Sequence, residues 1–193
     1  SATAANLNTI TDDKITVNSG TTLNVSAYTD QALNAATNNG TLNVTGGTDQ
    51  ITVDSTKLGG ITLLTLGDGG ATGTAENIAG VGTKGNKIAL NSKTLAVSAY
   101  GDEDISGLTG SGTVNVTTAN GSSLVADSLT TADAIAIGAG TATATAANAN
   151  TLASKITVAE SATLNVSDYT NQDLSAIDTS ADSTTVGITT AYG

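Results

Sequence analysis

Asp49, Asp68, Asp102 and Asp104 are the residues of this chain best placed to hold an ion. They stand on the turns Gly46-Gly47-Thr48-Asp49, Gly67-Asp68-Gly69-Gly70 and Gly101-Asp102-Glu103-Asp104. Calcium takes oxygen ligands from carboxylates and backbone carbonyls, and glycine-rich turns let such carbonyls converge. No cofactor is required by the sequence, and calcium is the one these turns could take. The opposing expectation is that acidic turns simply keep a Thr- and Ala-rich surface soluble.

Other constellations point away from catalysis. Asp12-Asp13 and Asp102-Glu103-Asp104 pair carboxylates, as glycoside hydrolysis does, but that chemistry needs a cleft and two carboxyls at a set separation. Four Tyr are the only aromatic residues, so sugar-stacking platforms are scarce. With no Cys and no His there is no thiol nucleophile, no zinc site and no Ser-His-Asp triad. A Lys amine becomes nucleophilic only when desolvated or set beside another cation. The recurrent Lys14, Lys87 and Lys155 stand just before strand-like runs, where they would blunt an edge or pair with a stacked carboxylate. The chain is read as a non-enzyme.

Charge narrows the partners. The net charge is −11 and the six cations are all Lys. A chain without a basic patch is not expected to bind nucleic acid. No apolar run reaches the roughly 18 residues of a membrane-spanning helix, so membrane insertion is not expected.

Positioning comes from repetition. Leu23-Asn24-Val25-Ser26-Ala27-Tyr28 returns as Leu95-Ala96-Val97-Ser98-Ala99-Tyr100 and as Leu164-Asn165-Val166-Ser167-Asp168-Tyr169. Lys14-Ile15, Lys87-Ile88 and Lys155-Ile156 precede the three copies. Gly40-Thr41-Leu42-Asn43-Val44-Thr45 matches Gly112-Thr113-Val114-Asn115-Val116-Thr117, and more faintly Thr185-Val186-Gly187-Ile188-Thr189. Thr3, Thr74 and Thr145 each open a Thr-Ala-x-Asn block, and the two intervals between them are equal. Four blocks in constant order define a tandem array with a period of about 71 residues. The boundaries read as 1–13, the end of a preceding repeat; 14–86, repeat 1; 87–154, repeat 2; and 155–193, a partial repeat 3. The ends cut into repeats, as expected of a processed chain or a segment of a longer array.

Within each repeat, runs such as Thr22-Leu23-Asn24-Val25 and Gln50-Ile51-Thr52-Val53 alternate apolar with polar residues, the strand period. Gly-rich punctuation separates them. Two short helices per repeat are predicted. Ser26, Ser98 and Ser167 would cap one, running 27–36 in the first copy with Asp30 in its opening turns. The Thr-Ala-x-Asn block would cap the other, with Leu7 and Ile10 one turn apart. Asn6, Asn77, Asn148, Asn43 and Asn115 are read as turn or cap residues rather than as a ladder. The Tyr of each repeat is read as a core filler whose hydroxyl reaches water or a carbonyl. The fold class is mainly β, an elongated β-solenoid-like stack of tandem repeats with short helical corners, each unit covering its neighbour's aliphatic face. The alternative is a string of β-sandwich modules.

The Thr-Ala-Ala-Asn-Leu block followed by Ile-Thr-Val, Thr-Leu-Asn-Val-Ser-x-Tyr and Gly-Thr-Leu-Asn-Val-Thr resembles the β-strand repeat arrays of very large bacterial surface proteins. These include hemolysin-like surface-layer proteins and adhesins of cyanobacteria and proteobacteria. The resemblance covers nearly the whole chain through short, degenerate motifs. It implies secretion to the cell surface and a structural or adhesive role without enzymatic activity. Many relatives in such arrays carry calcium-binding Gly/Asp nonapeptides. Gly46–Val53 falls one residue short of that unit and has no consecutive partner. The expected function is a structural repeat segment of a surface layer, fibre or adhesin stalk, extracellular and self-associating, with envelope carbohydrate as a further partner. The alternative is an adhesive module that binds a glycan or host protein.

Overall fold

The computed structural model describes residues 1–10, 15–33, 37–138 and 140–191. Asp12-Asp13, Lys14 and residues 34–36 of the predicted helix lie outside them. Strands make up 40% of the chain and helices 15%, so the chain is mainly β. Contacts divide it into Ser1–Leu95 with Gly107–Thr113, unit 1, and Ala96–Ser106 with Val114–Gly193, unit 2.

Unit 1 holds β1 (Ala2–Thr3), β2 (Thr16–Val17), β3 (Thr22–Tyr28), β4 (Thr37–Asn38), β5 (Thr41–Gly46), β6 (Ile51–Thr52), β7 (Leu63–Thr65), β8 (Ala71–Thr74) and β9 (Ile88–Ala89). Strand β10 (Thr94–Tyr100) crosses the boundary, as does the first residue of β11 (Thr113–Thr118). Unit 2 continues with β12 (Ser122–Leu124), β13 (Ala134–Ile137), β14 (Thr141–Thr145), β15 (Ile156–Val158), β16 (Thr163–Tyr169) and β17 (Thr185–Thr190).

In unit 1, β1, β3, β5, β7 and β9 pair in that order and in parallel, as do β2 with β4 and β6 with β8. In unit 2, β11, β13 and β15 form one parallel ladder, and β12, β14, β16 and β17 another. Thr22 faces Thr41, Asn43 faces Leu63, and Leu64 faces Ile88, so each of these strands pairs in parallel with the next but one along the chain. Parallel neighbours need a crossover connection, and these intervals are long enough to supply it.

Register turns the period-two pattern into columns. Val25, Val44, Leu64 and Ile88 stack across four strands, each at most 1% exposed. Val116, Ile135 and Ile156 do the same in unit 2. Outward, Thr22 stacks on Thr41, and Asn43 Nδ2 donates to Asn24 Oδ1 at 3.1 Å. Asn43 is thus a rung between neighbouring strands, not the turn residue expected. The turn reading assumed that Asn recurred only once per repeat, but Asn24 supplies the next rung from within the same repeat.

The Thr-Ala-x-Asn blocks fold as expected. Thr3, Thr74 and Thr145 cap α1 (Ala4–Asn8), α3 (Ala75–Gly80) and α4 (Ala146–Leu152), each hydroxyl accepting from the backbone N–H of Asn6, Asn77 or Asn148. Helix α2 (Ser55–Leu58) is capped by Asp54. Ile10, placed by the sequence on the first helix, follows it and is 45% exposed. The two later Asn residues also reach the preceding strand-to-helix corner. Asn77 Oδ1 accepts from Ser55 N and Oγ at 3.1 and 3.0 Å, and Asn148 Oδ1 accepts from Ala126 N at 3.3 Å. Asn77→Ala strands both Ser55 donors, so thermal unfolding should show a loss of about 1–3 kcal/mol. Asn77→Asp keeps the acceptor and should retain most of the stability.

The predicted helices after Ser26, Ser98 and Ser167 do not form. These residues lie inside β3, β10 and β16. The reason is one extra residue. Val25 faces Val44 but Tyr28 faces Gly46, a β-bulge, and Val166–Tyr169 against Ile188–Thr190 repeats it. Ala27, Ala99 and Asp168 take φ of 54°, 52° and 57°. In a regular strand Tyr28 would point outward. The bulge instead gives the burial order exposed, half-buried, exposed, buried, exposed, exposed, buried, and Tyr28 enters the core. Tyr28 and Tyr100 are fully buried, whereas Tyr169 is half-buried.

Candidate functional site

The acidic candidates fall on three turns of the fold. Asp49 is exposed on the turn before β6, and the backbone of Gly69 on the next turn packs against it. Asp68 Oδ1 receives Lys93 Nζ at 2.6 Å. The hydrogen bond and charge of that ammonium hold the Asp68 carboxyl below the usual carboxylate range. Asp102 is exposed on the turn that follows β10, and Asp104 Oδ1 accepts from Ser106 N and Oγ at 3.0 and 2.6 Å. Among the described residues no three acidic side chains are grouped as a metal would need.

The lysines behave differently from the sequence expectation. Lys87 Nζ donates to the Ile61 carbonyl at 2.8 Å, and Lys155 Nζ to the Ala132 carbonyl at 2.6 Å. Each reaches a carbonyl one strand-to-strand interval back, not a carboxylate. The general signal was present, since a Lys recurs before an Ile-x-Val run or its Ile-x-Leu equivalent. Nothing in spacing alone distinguishes a carbonyl from a carboxylate partner.

A second recurrent device was missed. After each strand-end Tyr, the next backbone N–H donates to the side chain two residues on: Thr29 to Gln31 at 2.8 Å, Gly101 to Glu103 at 2.7 Å, and Thr170 to Gln172 at 2.9 Å. The Gln, Glu, Gln series at Tyr plus three could have been found in the alignment of the three copies. It closes the turn that follows the strand, which serves positioning rather than chemistry.

Two surface hollows accompany the bulges. In unit 1 a hollow of about 380 Å³ is lined by Thr45, Thr48, Asp68 and Asn91 over a floor of Gly46, Gly47 and Gly67. In unit 2 one of about 290 Å³ lies on the outer face of β12, β14, β16 and β17, among Ser123, Thr143, Asn165 and Ser167. That outer face carries hydroxyls in register, with Thr141, Thr163 and Thr185 in one row.

The β17 edge is the other exposed feature. Among the described residues β17 pairs with β16 alone. The inward column Ala144, Val166, Ile188 is buried at its first two members, whereas Ile188 is 52% exposed. The strand Thr185-Val186-Gly187-Ile188-Thr189-Thr190 has no charge and no Pro, the usual guards of an open edge.

No family model matches the chain, and neither a curated protein nor a solved structure is similar to it. The likeness to surface repeat arrays stands on the motifs alone. No helix among the described residues is long and apolar enough to cross a membrane.

Proposed function

We propose that the chain is a structural, non-enzymatic repeat segment of a secreted bacterial surface protein, built as a parallel β-solenoid that associates through its strand edges. What supports the solenoid is the parallel pairing of strands one short coil apart, with aliphatic columns running through successive strands. A β-sandwich module pairs its strands antiparallel, so the alternative lacks that support. A repeat of about 71 residues then holds three to four such coils. The absence of His and Cys, together with the lack of any metal-holding group of three acidic side chains among the described residues, favours a mechanical role over a chemical one.

The observation that carries association is the β17 edge. An uncharged strand with an exposed Ile offers apolar area to another chain. Surface location rests on the motif resemblance and on an acidic composition suited to a hydrated envelope. Sedimentation and electron microscopy over a range of concentrations test the reading. The intact chain should form elongated oligomers as concentration rises, and Ile188→Lys should shift the assembly midpoint at least ten-fold upward without unfolding the monomer. Compact monomers at every concentration would overturn it.

A further inference from the structure

We propose that the hollow of unit 1 between Thr45, Thr48, Asp68 and Asn91 binds a neutral sugar ring. Its volume of about 380 Å³ falls within the range of small-molecule sites. Three glycines make it. They form its floor, with the Gly67 backbone stacked on the carbonyls of Gly46 and Gly47 too closely to admit a Cβ at Gly67. Exposed Ala27 adds an apolar patch, the kind of surface that meets the C–H face of a ring.

The polar rim sets the ligand class. Thr45 and Thr48 contribute hydroxyls, each both donor and acceptor. Asp68 has a side chain 75% exposed and uses Oδ1 on Lys93 at 2.6 Å, which leaves Oδ2 as an acceptor. Asn91 uses Nδ2 on the Leu66 carbonyl at 3.1 Å, which leaves Oδ1 as another. The rim therefore offers acceptors and hydroxyls, matching a polyol, whose hydroxyls donate as well as accept. The paired Lys93 and Asp68 cancel in charge. An anionic ligand meets no free cation in this lining, and a divalent cation meets one carboxylate already held by an ammonium.

The backbone at the rim is held in a costly shape. Asn91 and Ser92 take consecutive φ of 52° and 60°. Left-handed non-glycine residues persist where the surroundings hold them. Here the Asn91 bond to Leu66 and the Ser92 contact to Ser111, Oγ to Oγ at 3.1 Å, fix the pair. The result is a preset rim that loses little freedom on binding.

This inference does not depend on edge association. Its test is a titration of the intact, isotope-labelled chain with the methyl glycosides of glucose, galactose, mannose and N-acetylglucosamine, followed by amide NMR. Glucuronate and calcium serve as charged comparisons. The expected result is saturable movement of the Gly46, Gly47, Gly67, Asp68 and Asn91 amides with at least one neutral glycoside, at millimolar dissociation constant. Asp68→Ala should weaken that binding about ten-fold, and Thr48→Ala should weaken it less, both with unchanged melting temperature because these side chains are exposed. No saturation with any of the four glycosides would overturn the proposal. So would saturation by glucuronate or calcium in their place, or binding that Asp68→Ala leaves intact.

Discussion

Gly67→Ala is expected to cost about 3 kcal/mol and to lower the melting temperature by about 6–12 °C. A Cβ at this position would fall inside van der Waals contact with the carbonyl oxygens of both Gly46 and Gly47. Those atoms are backbone, so no side chain can swing away. Gly46 is moreover the partner of Tyr28 across the bulge, and a shift there moves a fully buried ring. Gly101→Ala is the control. The nearest atoms to a Cβ at Gly101 are those of the Glu103 carboxylate, at 3.5 Å or more, which is ordinary van der Waals contact. Its expected change is within about 0.5 kcal/mol. Differential scanning calorimetry of the two variants reads both values, and equal melting temperatures would refute the packing argument at Gly67.

The same glycines explain how much was legible beforehand. Alternation in Thr22–Val25 and Thr41–Val44, and the Thr caps at positions 3, 74 and 145, are local signals, and both appear in the fold. The bulge at Ala27 was not legible. An alanine at φ 54° carries no mark in the sequence, because nothing local favours it. It is held by the buried ring of Tyr28 and by the pairing of β3 with β5, which depends on residues of a strand further along the chain. A Ser followed by Ala, Tyr, Thr and Asp therefore reads as a helix start when it is the end of a strand.

Long-range partners were hidden for the same reason. The spacing that matters for contact is the interval between paired strands, whereas the most conspicuous spacing in the sequence is the much longer repeat. Repetition at the longer period reports ancestry of the unit and says nothing of which residue lies above which. Asn43 finds Asn24, Asn77 finds Ser55, and Lys87 finds Ile61, each across the shorter interval. The hollow at Gly46, Gly47 and Gly67 was seen in the sequence only as acidic glycine turns. Lys93, which neutralises Asp68, lies 25 residues further along and was not connected to it.

Tyr100→Phe is expected to leave the protein as stable as the parent or more so near neutral pH, and to remove a loss of stability that the parent suffers in alkali. The Tyr100 hydroxyl is buried beside the Val125 backbone without closing a hydrogen bond of good geometry, and the Tyr28 hydroxyl is likewise unpartnered. Deleting an unpaired buried hydroxyl while keeping the ring removes a desolvation cost and opens no cavity of consequence. Burial pushes the Tyr100 phenol up to about 12, with Glu103, Asp102 and Asp104 adding to the shift against an opposing effect of Val125. Tyr28 is raised too, by burial first and then by Asp30 and Asp54. The sign follows from which form the fold prefers. An unfolded Tyr ionises near 10, so the folded state, which keeps the phenol neutral, has its full advantage below that pH. The advantage shrinks as pH rises from about 10 through about 12, and for Tyr100 the total is on the order of 2–3 kcal/mol. Lysines as a class lose charge over the same range, so the parent curve alone does not assign the effect. The difference between parent and Tyr100→Phe does, because the lysines are common to both. Urea unfolding between pH 8 and pH 12 should show the two curves running parallel below pH 10 and separating above it, with the Phe variant falling less steeply. Tyr100→Ala, which empties the site, should instead lose about 3–5 kcal/mol at every pH. A Phe variant that falls as steeply as the parent would place the Tyr100 phenol in contact with solvent, and the bulge would then not be what buries it.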